Sequence, residues 1–214
     1  SPIENAIDVK EYNTGNLLAG NTIRDFRLAT GGNGAIDVRN GAHNTLVYNN
    51  TLKNIIGTGT SGTKYLLNLY HETENVWFFN NLIYRTNAVS DAVYAVNIRG
   101  DNTSGNHFVH NTVYNIARGV LVQNYGTGVD VTVANNIFNG IANSLLVEWT
   151  NTGDQEGQFN FQHNIFNKNP NNASYPVTPD FIGNANFANV TTEDFRLTET
   201  SILVINNGIT LLNN

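Results

Sequence analysis

One tetrapeptide recurs six times along this chain, always with Asn in second place: Gly20-Asn21-Thr22-Ile23, Asn49-Asn50-Thr51-Leu52, Asn80-Asn81-Leu82-Ile83, His110-Asn111-Thr112-Val113, Asn135-Asn136-Ile137-Phe138 and His163-Asn164-Ile165-Phe166. From Asn to Asn the steps are 29, 31, 30, 25 and 28 residues. A repeat of this period marks a stacked fold, because a unit so short cannot bury its apolar face alone and must lean on its neighbours. Residues of equal phase, however distant in sequence, then become neighbours in space.

Most of the tetrapeptides follow a short apolar or alternating run, such as Thr45-Leu46-Val47-Tyr48, Val76-Trp77-Phe78-Phe79, His107-Phe108-Val109 or Val131-Thr132-Val133, and each reads as a strand. A second set of runs lies 13 to 15 residues before each of the first five Asn positions: Ala6–Lys10, Ala35–Arg39, Leu66–Tyr70, Ala95–Arg99 and Gly119–Gln123. Ser144–Trp149 is a looser sixth copy. No amphipathic helix separates these strands, which rules out a doubly wound sheet, and the period is too short for propeller blades of about 40 residues. The pattern predicts an all-β fold: a single-stranded right-handed parallel β-helix of about six coils over residues 1–170. The six Asn side chains are expected to stack inside it as a hydrogen-bonded ladder. After Asn167 the repeat fades into Pro170, Pro176 and Pro179, and residues 171–214, with the strand-like Asp194–Leu197 and Ile202–Ile205, are expected to cap the solenoid as part of the same domain.

Composition narrows the function. The chain is acidic, with a net charge of -6, and lacks the basic face that phosphate neutralisation requires, so nucleic acid is not an expected partner. It has no Cys, hence no disulfide framework or thiolate metal site. No apolar run approaches the roughly 18 to 20 residues that cross a bilayer, so membrane insertion is not expected. The opening Ser1-Pro2-Ile3-Glu4, already close to the first strand, is expected to follow a segment that was removed or that belongs to a longer polypeptide. Asn accounts for 39 of 214 residues, and since Asn tolerates left-handed backbone geometry, this abundance predicts many tight corners.

Strand alternation sets which side chains face outward. If Ile7 and Val9 point to the axis, Asp8 and Lys10 point away, and the same parity down the stack gives two outward columns. One holds Asp8, Asp37, Asn68 and Asn97; the other holds Lys10, Arg39, Tyr70, Arg99 and Gln123. Glu11, Tyr12, His43, His71, Glu72 and Asp101 flank them. With coils about 4.8 Å apart, these columns predict a polar strip suited to a long, hydroxylated, anionic chain, with Glu11, Tyr12, His43, Asn68, Tyr70, His71, Asn97 and Arg99 as substrate-binding residues. Two chemistries fit. Asp8 and Asp37 make a carboxylate pair for glycoside hydrolysis, one as acid and one as nucleophile or base. Alternatively Lys10 removes the proton beside a uronate carboxylate while Arg39 steadies the developing charge. A plainer expectation for Asp8 with Arg39, or Asp37 with Lys10, is a cross-coil ion pair. No zinc spacing is present, no cofactor is required, and an oxygen-ligated calcium among Asp8, Glu11 and Asp37 is compatible with the sequence.

Lys10, Asn21-Thr22 and, one coil later, Arg39-Asn40-Gly41 resemble the lysine and arginine pair of the chondroitinase B and alginate lyase family of β-helix enzymes, although Asn40 stands where that family has His. The stretch from Glu4–Lys10 to Arg39-Asn40-Gly41 is more similar to the β-helix region of the archaeal disaggregatases, which break a chondroitin-like cell matrix. That resemblance implies an extracellular or cell-surface depolymerase acting on a uronate-containing polysaccharide, by hydrolysis. A non-catalytic carbohydrate-binding or adhesin β-helix is the alternative from a different class.

Overall fold

The computed structural model describes residues 5–25, 27–28, 34–57, 64–87, 93–99, 103–124, 130–142, 147–151, 159–167 and 181–201. Three long parallel sheets run side by side, each built from one short strand per coil. The first sheet stacks Ile7–Val9, Gly34–Arg39, Lys64–Tyr70, Val93–Arg99, Arg118–Asn124 and Val147–Asn151. The second stacks Leu17–Ala19, His43–Tyr48, Glu74–Phe79, Asn106–Val109, Val131–Ala134 and Phe159–Gln162. These are the two strand sets expected from the sequence. The third sheet is an addition: it begins on the residue after each ladder Asn, as in Thr22–Arg24, Thr51–Lys53 and Leu82–Tyr84. The fold is thus the parallel β-helix that the repeat demanded.

Register explains why the repeat is apolar at fixed phases. Leu18, Val47, Phe78, Phe108, Val133 and Phe161 line up on the inner face of the second sheet. Ile23, Leu52, Ile83, Val113, Phe138 and Phe166 do so on the third. Nearly all are buried in one continuous core, each contributing roughly 1.5 to 3 kcal/mol. The rings of Phe138 and Phe166 stack at 5.2 Å along the axis.

At the corner between the second and third sheets the six Asn residues form the expected ladder. Each Nδ2 donates to the Oδ1 of the next, from Asn21 to Asn50 at 2.9 Å through to Asn136 and Asn164 at 2.9 Å. The same oxygen accepts the preceding Asn backbone N–H, and the second Nδ2 hydrogen goes to a strand carbonyl such as Phe78 O for Asn111. Every polar atom of a buried amide is used, which offsets the cost of burying it. The residue just before each of these has a left-handed backbone, and at three of the six it is Asn, with φ 54° at Asn49 and Asn80 and 56° at Asn135. Further positive-φ corners at Asn40, Asn44, Asn54, Asn75 and Asn115 account for part of the Asn-rich composition.

Beyond the coils, Phe181–Ile182 adds a seventh strand to the third sheet. The antiparallel hairpin of Phe187–Asn189 and Asp194–Leu197 then lies along the flank of that sheet. Phe187 and Phe195 pack on Tyr114, Phe195 also packs on Tyr84, and Glu193 pairs with Lys53 and accepts from Tyr84 Oη. Asp101, Ser144–Leu146, residues 171–180 and Ile202–Ile205, all named in the sequence reading, lie outside the described residues. Among the described residues no helix is long and apolar enough to cross a membrane.

Candidate active site on the first sheet

The two outward columns form in the expected register: Asp8 opposes Asp37, Asp37 opposes Asn68, and Asn68 opposes Asn97. Arg39, Tyr70, Arg99 and Gln123 align beside them. Accessibility departs from expectation. Asp37, Asn68 and Asn97 do not present an open strip, since their exposures are 0%, 3% and 0%. The reason lies in the flanking side chains. Three residues before Asn68 and Asn97 stand Tyr65 and Tyr94, which cluster with Leu121 apart from the axial core. Tyr65 Oη donates to Gln123 Oε1 at 3.2 Å, a bond that crosses the middle column.

Asp8, Lys10, Glu11, Asp37 and Arg39 do converge. Arg39 grips Asp8 in a fork, with Nε to Oδ1 at 3.1 Å and Nη2 to Oδ2 at 2.7 Å, and its Nε also lies 3.7 Å from Asp37 Oδ2. The ion pair expected between Asp8 and Arg39 is therefore present. Asp37 is partnered by Arg39 rather than by Lys10, whose Nζ lies 3.7 Å from Asp8 and 3.8 Å from Glu11. Asn68 Nδ2 donates to Asp37 Oδ1 at 2.7 Å, and Asn97 donates to Asn68 Oδ1 at 2.6 Å. Burial pushes the Asp37 carboxyl up to about 6, with Arg39 and Asn68 pulling against it. No group of three or more His, Asp or Glu among the described residues is arranged to hold a metal. Of the three carboxylates compatible with a calcium ion, Asp8 and Asp37 lie against Arg39 and Glu11 lies near Lys10, so each faces a cation of the chain itself.

The remaining predicted residues gather around the corner that leaves this sheet. Tyr12 Oη donates to Glu72 at 3.1 Å, the His71 ring lies against Tyr70 at 3.7 Å, and the Arg99 guanidinium sits 4.7 Å from the Tyr70 ring centre. His43 belongs to the second sheet, 3.3 Å from Glu74. The corner is tight: Glu11 and Tyr12, Asn40 and Gly41, and His71 and Glu72 are consecutive left-handed pairs. A Cβ on Gly41, at φ 78°, would lie 2.3 Å from the Tyr12 ring. Gly41→Ala is expected to lower stability by about 1 to 2 kcal/mol, mostly backbone strain because the exposed Tyr12 ring can swing away. A urea midpoint shift at constant m measures it.

The sequence reading missed a second charged cluster on the same sheet. Tyr94 is 1% exposed as a residue, and its Oη donates to Glu148 and accepts from Arg118, whose guanidinium lies 5.0 Å from the Tyr94 ring centre. Burial and the Glu148 hydrogen bond push the Tyr94 hydroxyl well above its usual pKa. The signal was present at a fixed offset, with Tyr65, Tyr94 and Arg118 each three residues before the column of Asn68, Asn97 and Leu121.

No protein-family model, no curated protein and no solved structure matches this chain. The β-helix is compatible with both polysaccharide-active and polysaccharide-binding proteins, and the choice between them rests on the chemistry of the site.

Proposed function

We propose that this β-helix is a depolymerase that hydrolyses an acidic, uronate-containing polysaccharide outside the cell, using Asp8 and Asp37. One observation carries the reading: two carboxyl groups oppose each other on neighbouring strands in unequal surroundings. Asp37, buried and raised to about 6, suits a general acid. Asp8, partly exposed between Arg39 and Lys10, suits the nucleophile or base. Strands about 4.8 Å apart match the short spacing, about 5 to 5.5 Å, of a retaining pair. Arg39 roofs Asp37, and a uronate carboxylate that draws the guanidinium toward itself uncovers the acid. The resemblance to the disaggregatases supports the same substrate class.

A second reading is favoured by exposure. The Lys10 side chain is 42% accessible while that of Asp37 is 0%, which suits elimination with Lys10 as base and Arg39 neutralising the uronate. Incubation with chondroitin-type and other uronate polymers, following reducing ends and unsaturated-uronate absorbance together, separates the two. Reducing ends without absorbance, abolished in Asp37→Asn, are the expected result. Both signals, abolished in Lys10→Ala, replace hydrolysis with elimination. Neither signal on any polymer, with binding retained, makes the protein a carbohydrate-binding β-helix.

A further inference from the structure

At the corner between the second and third sheets, away from the first sheet's site, a groove of about 270 Å³ opens between the coil corners and the flanking hairpin. One side is the column of corner residues Asn80, His110, Asn135 and His163, stacked coil on coil. The floor is Thr112, Ile137 and Ile165 of the third sheet, and the far wall is Leu197 of the hairpin. The hairpin is fixed there by Phe187 and Phe195 against Tyr114.

Three features define what this groove can hold. Among the described residues its lining contains no Asp, Glu, Lys or Arg, so these side chains offer no counter-charge to a uronate, phosphate or ammonium group. Its two sides differ in chemistry, with amide and imidazole groups repeating about every 4.8 Å on one and aliphatic surface on the other. A pyranose has the matching division, with hydroxyls at its rim and C–H groups on its faces. The volume lies just below the roughly 300 Å³ at which pockets for drug-sized ligands begin, which suits one sugar unit rather than a run of them.

The corner residues sharpen this. The backbone is left-handed at every one of these corners, φ 68° at Gly20 and 54° to 56° at Asn49, Asn80, His110, Asn135 and His163. Gly or Asn satisfies that geometry at four of the six, so the backbone does not demand the imidazoles at His110 and His163. Among the described residues the His110 imidazole has no hydrogen-bonding partner, leaving both ring nitrogens for a ligand. Partial burial holds His110 below its ordinary pKa, so near neutral pH the ring carries one donor and one acceptor and no charge.

We propose that the groove is a second glycan-binding site, separate from the carboxylate cluster, which holds a neutral pyranose unit between His110 and Asn135 on one side and Ile137 and Leu197 on the other. It would anchor the protein on a glycan without using the first sheet, so it stands whether or not the proposed depolymerase activity is found.

The test titrates the protein with N-acetylglucosamine, galactose and glucuronate while following the histidine imidazole resonances by NMR. The neutral sugars are expected to shift the His110 signals saturably, and glucuronate is expected to leave them in place. His110→Gly keeps the left-handed corner, as Gly20 does in the first coil, and is expected to weaken binding about tenfold through loss of the imidazole hydrogen bonds. Ile137→Arg, which puts a charge on the floor, is expected to abolish it. Should His110→Gly fold poorly, His110→Asn places the residue of Asn49, Asn80 and Asn135 at the same corner and serves the same comparison. The proposal is overturned if neither neutral sugar moves the His110 resonances, if glucuronate binds as well as they do, or if binding survives unchanged in both the His110 and Ile137 variants.

Discussion

Replacing Asn111 by Ala is expected to destabilise the protein by roughly 3 to 5 kcal/mol, a large share of the 5 to 15 kcal/mol that holds a typical domain. Asn111 sits in the middle of the ladder and is 1% exposed. Its Oδ1 accepts from both the backbone N–H and the Nδ2 of Asn81, each at 3.0 Å. Its own Nδ2 serves Phe78 O, Val109 O and Asn136 Oδ1. Alanine removes all of these together and leaves two donors of Asn81 buried without an acceptor, at about 1 to 3 kcal/mol each. Coil stacking gives them no water to turn to. Chemical denaturation measures the loss, with Asn160→Ala as control, since Asn160 is exposed on the outer face of the second sheet and its removal is expected to stay within about 0.5 kcal/mol. A ladder variant as stable as the control would mean that the amides are carried by the fold rather than holding it.

The ladder was legible because nothing else puts Asn at one phase of a 25- to 31-residue period six times over. The third sheet was hidden for a related reason. Its strands are at most three residues long and start directly after the ladder Asn, as in Thr51–Lys53, so there is no room for an alternation to declare itself. At the site, the sequence placed Asp8, Asp37, Asn68 and Asn97 in the right column, because alternation fixes which side of a sheet a residue faces. It says nothing of what lies over that side. The reach of Tyr65 across to Gln123 and of Arg39 onto both carboxylates is decided by long side chains two or more residues away, and these convert an expected surface strip into a buried column. The return of Phe187 and Phe195 onto Tyr84 and Tyr114 was equally invisible, since it joins segments about 70 to 110 residues apart that share no local pattern.

Asp37→Asn is expected to stabilise the protein at neutral pH and to remove its activity. The Asp37 carboxyl titrates near 6 in the fold against 3.8 for an ordinary Asp. The folded state thus holds this proton more tightly than the unfolded chain does. The stability it confers is complete below about pH 4 and is lost as the pH rises through 6. By pH 7 the loss amounts to about 3 kcal/mol, the cost of ionising a carboxyl where water does not reach it. Asparagine carries no such cost. Its Oδ1 can still accept from Asn68, which extends the amide column of Asn68 and Asn97 by one coil, and Arg39 keeps its forked grip on Asp8. Denaturation from pH 4 to pH 7 is therefore expected to show a falling midpoint in the parent protein and a flat one in the variant, with a gain of about 2 kcal/mol at pH 7. A slope that survives the substitution would assign the pH dependence to another group. A gain in stability coupled to a loss of hydrolysis would mean that a buried acid is retained at this position for its proton. A gain with activity intact would leave Asp37 as one more rung of the column and move the chemistry to Lys10 and Arg39.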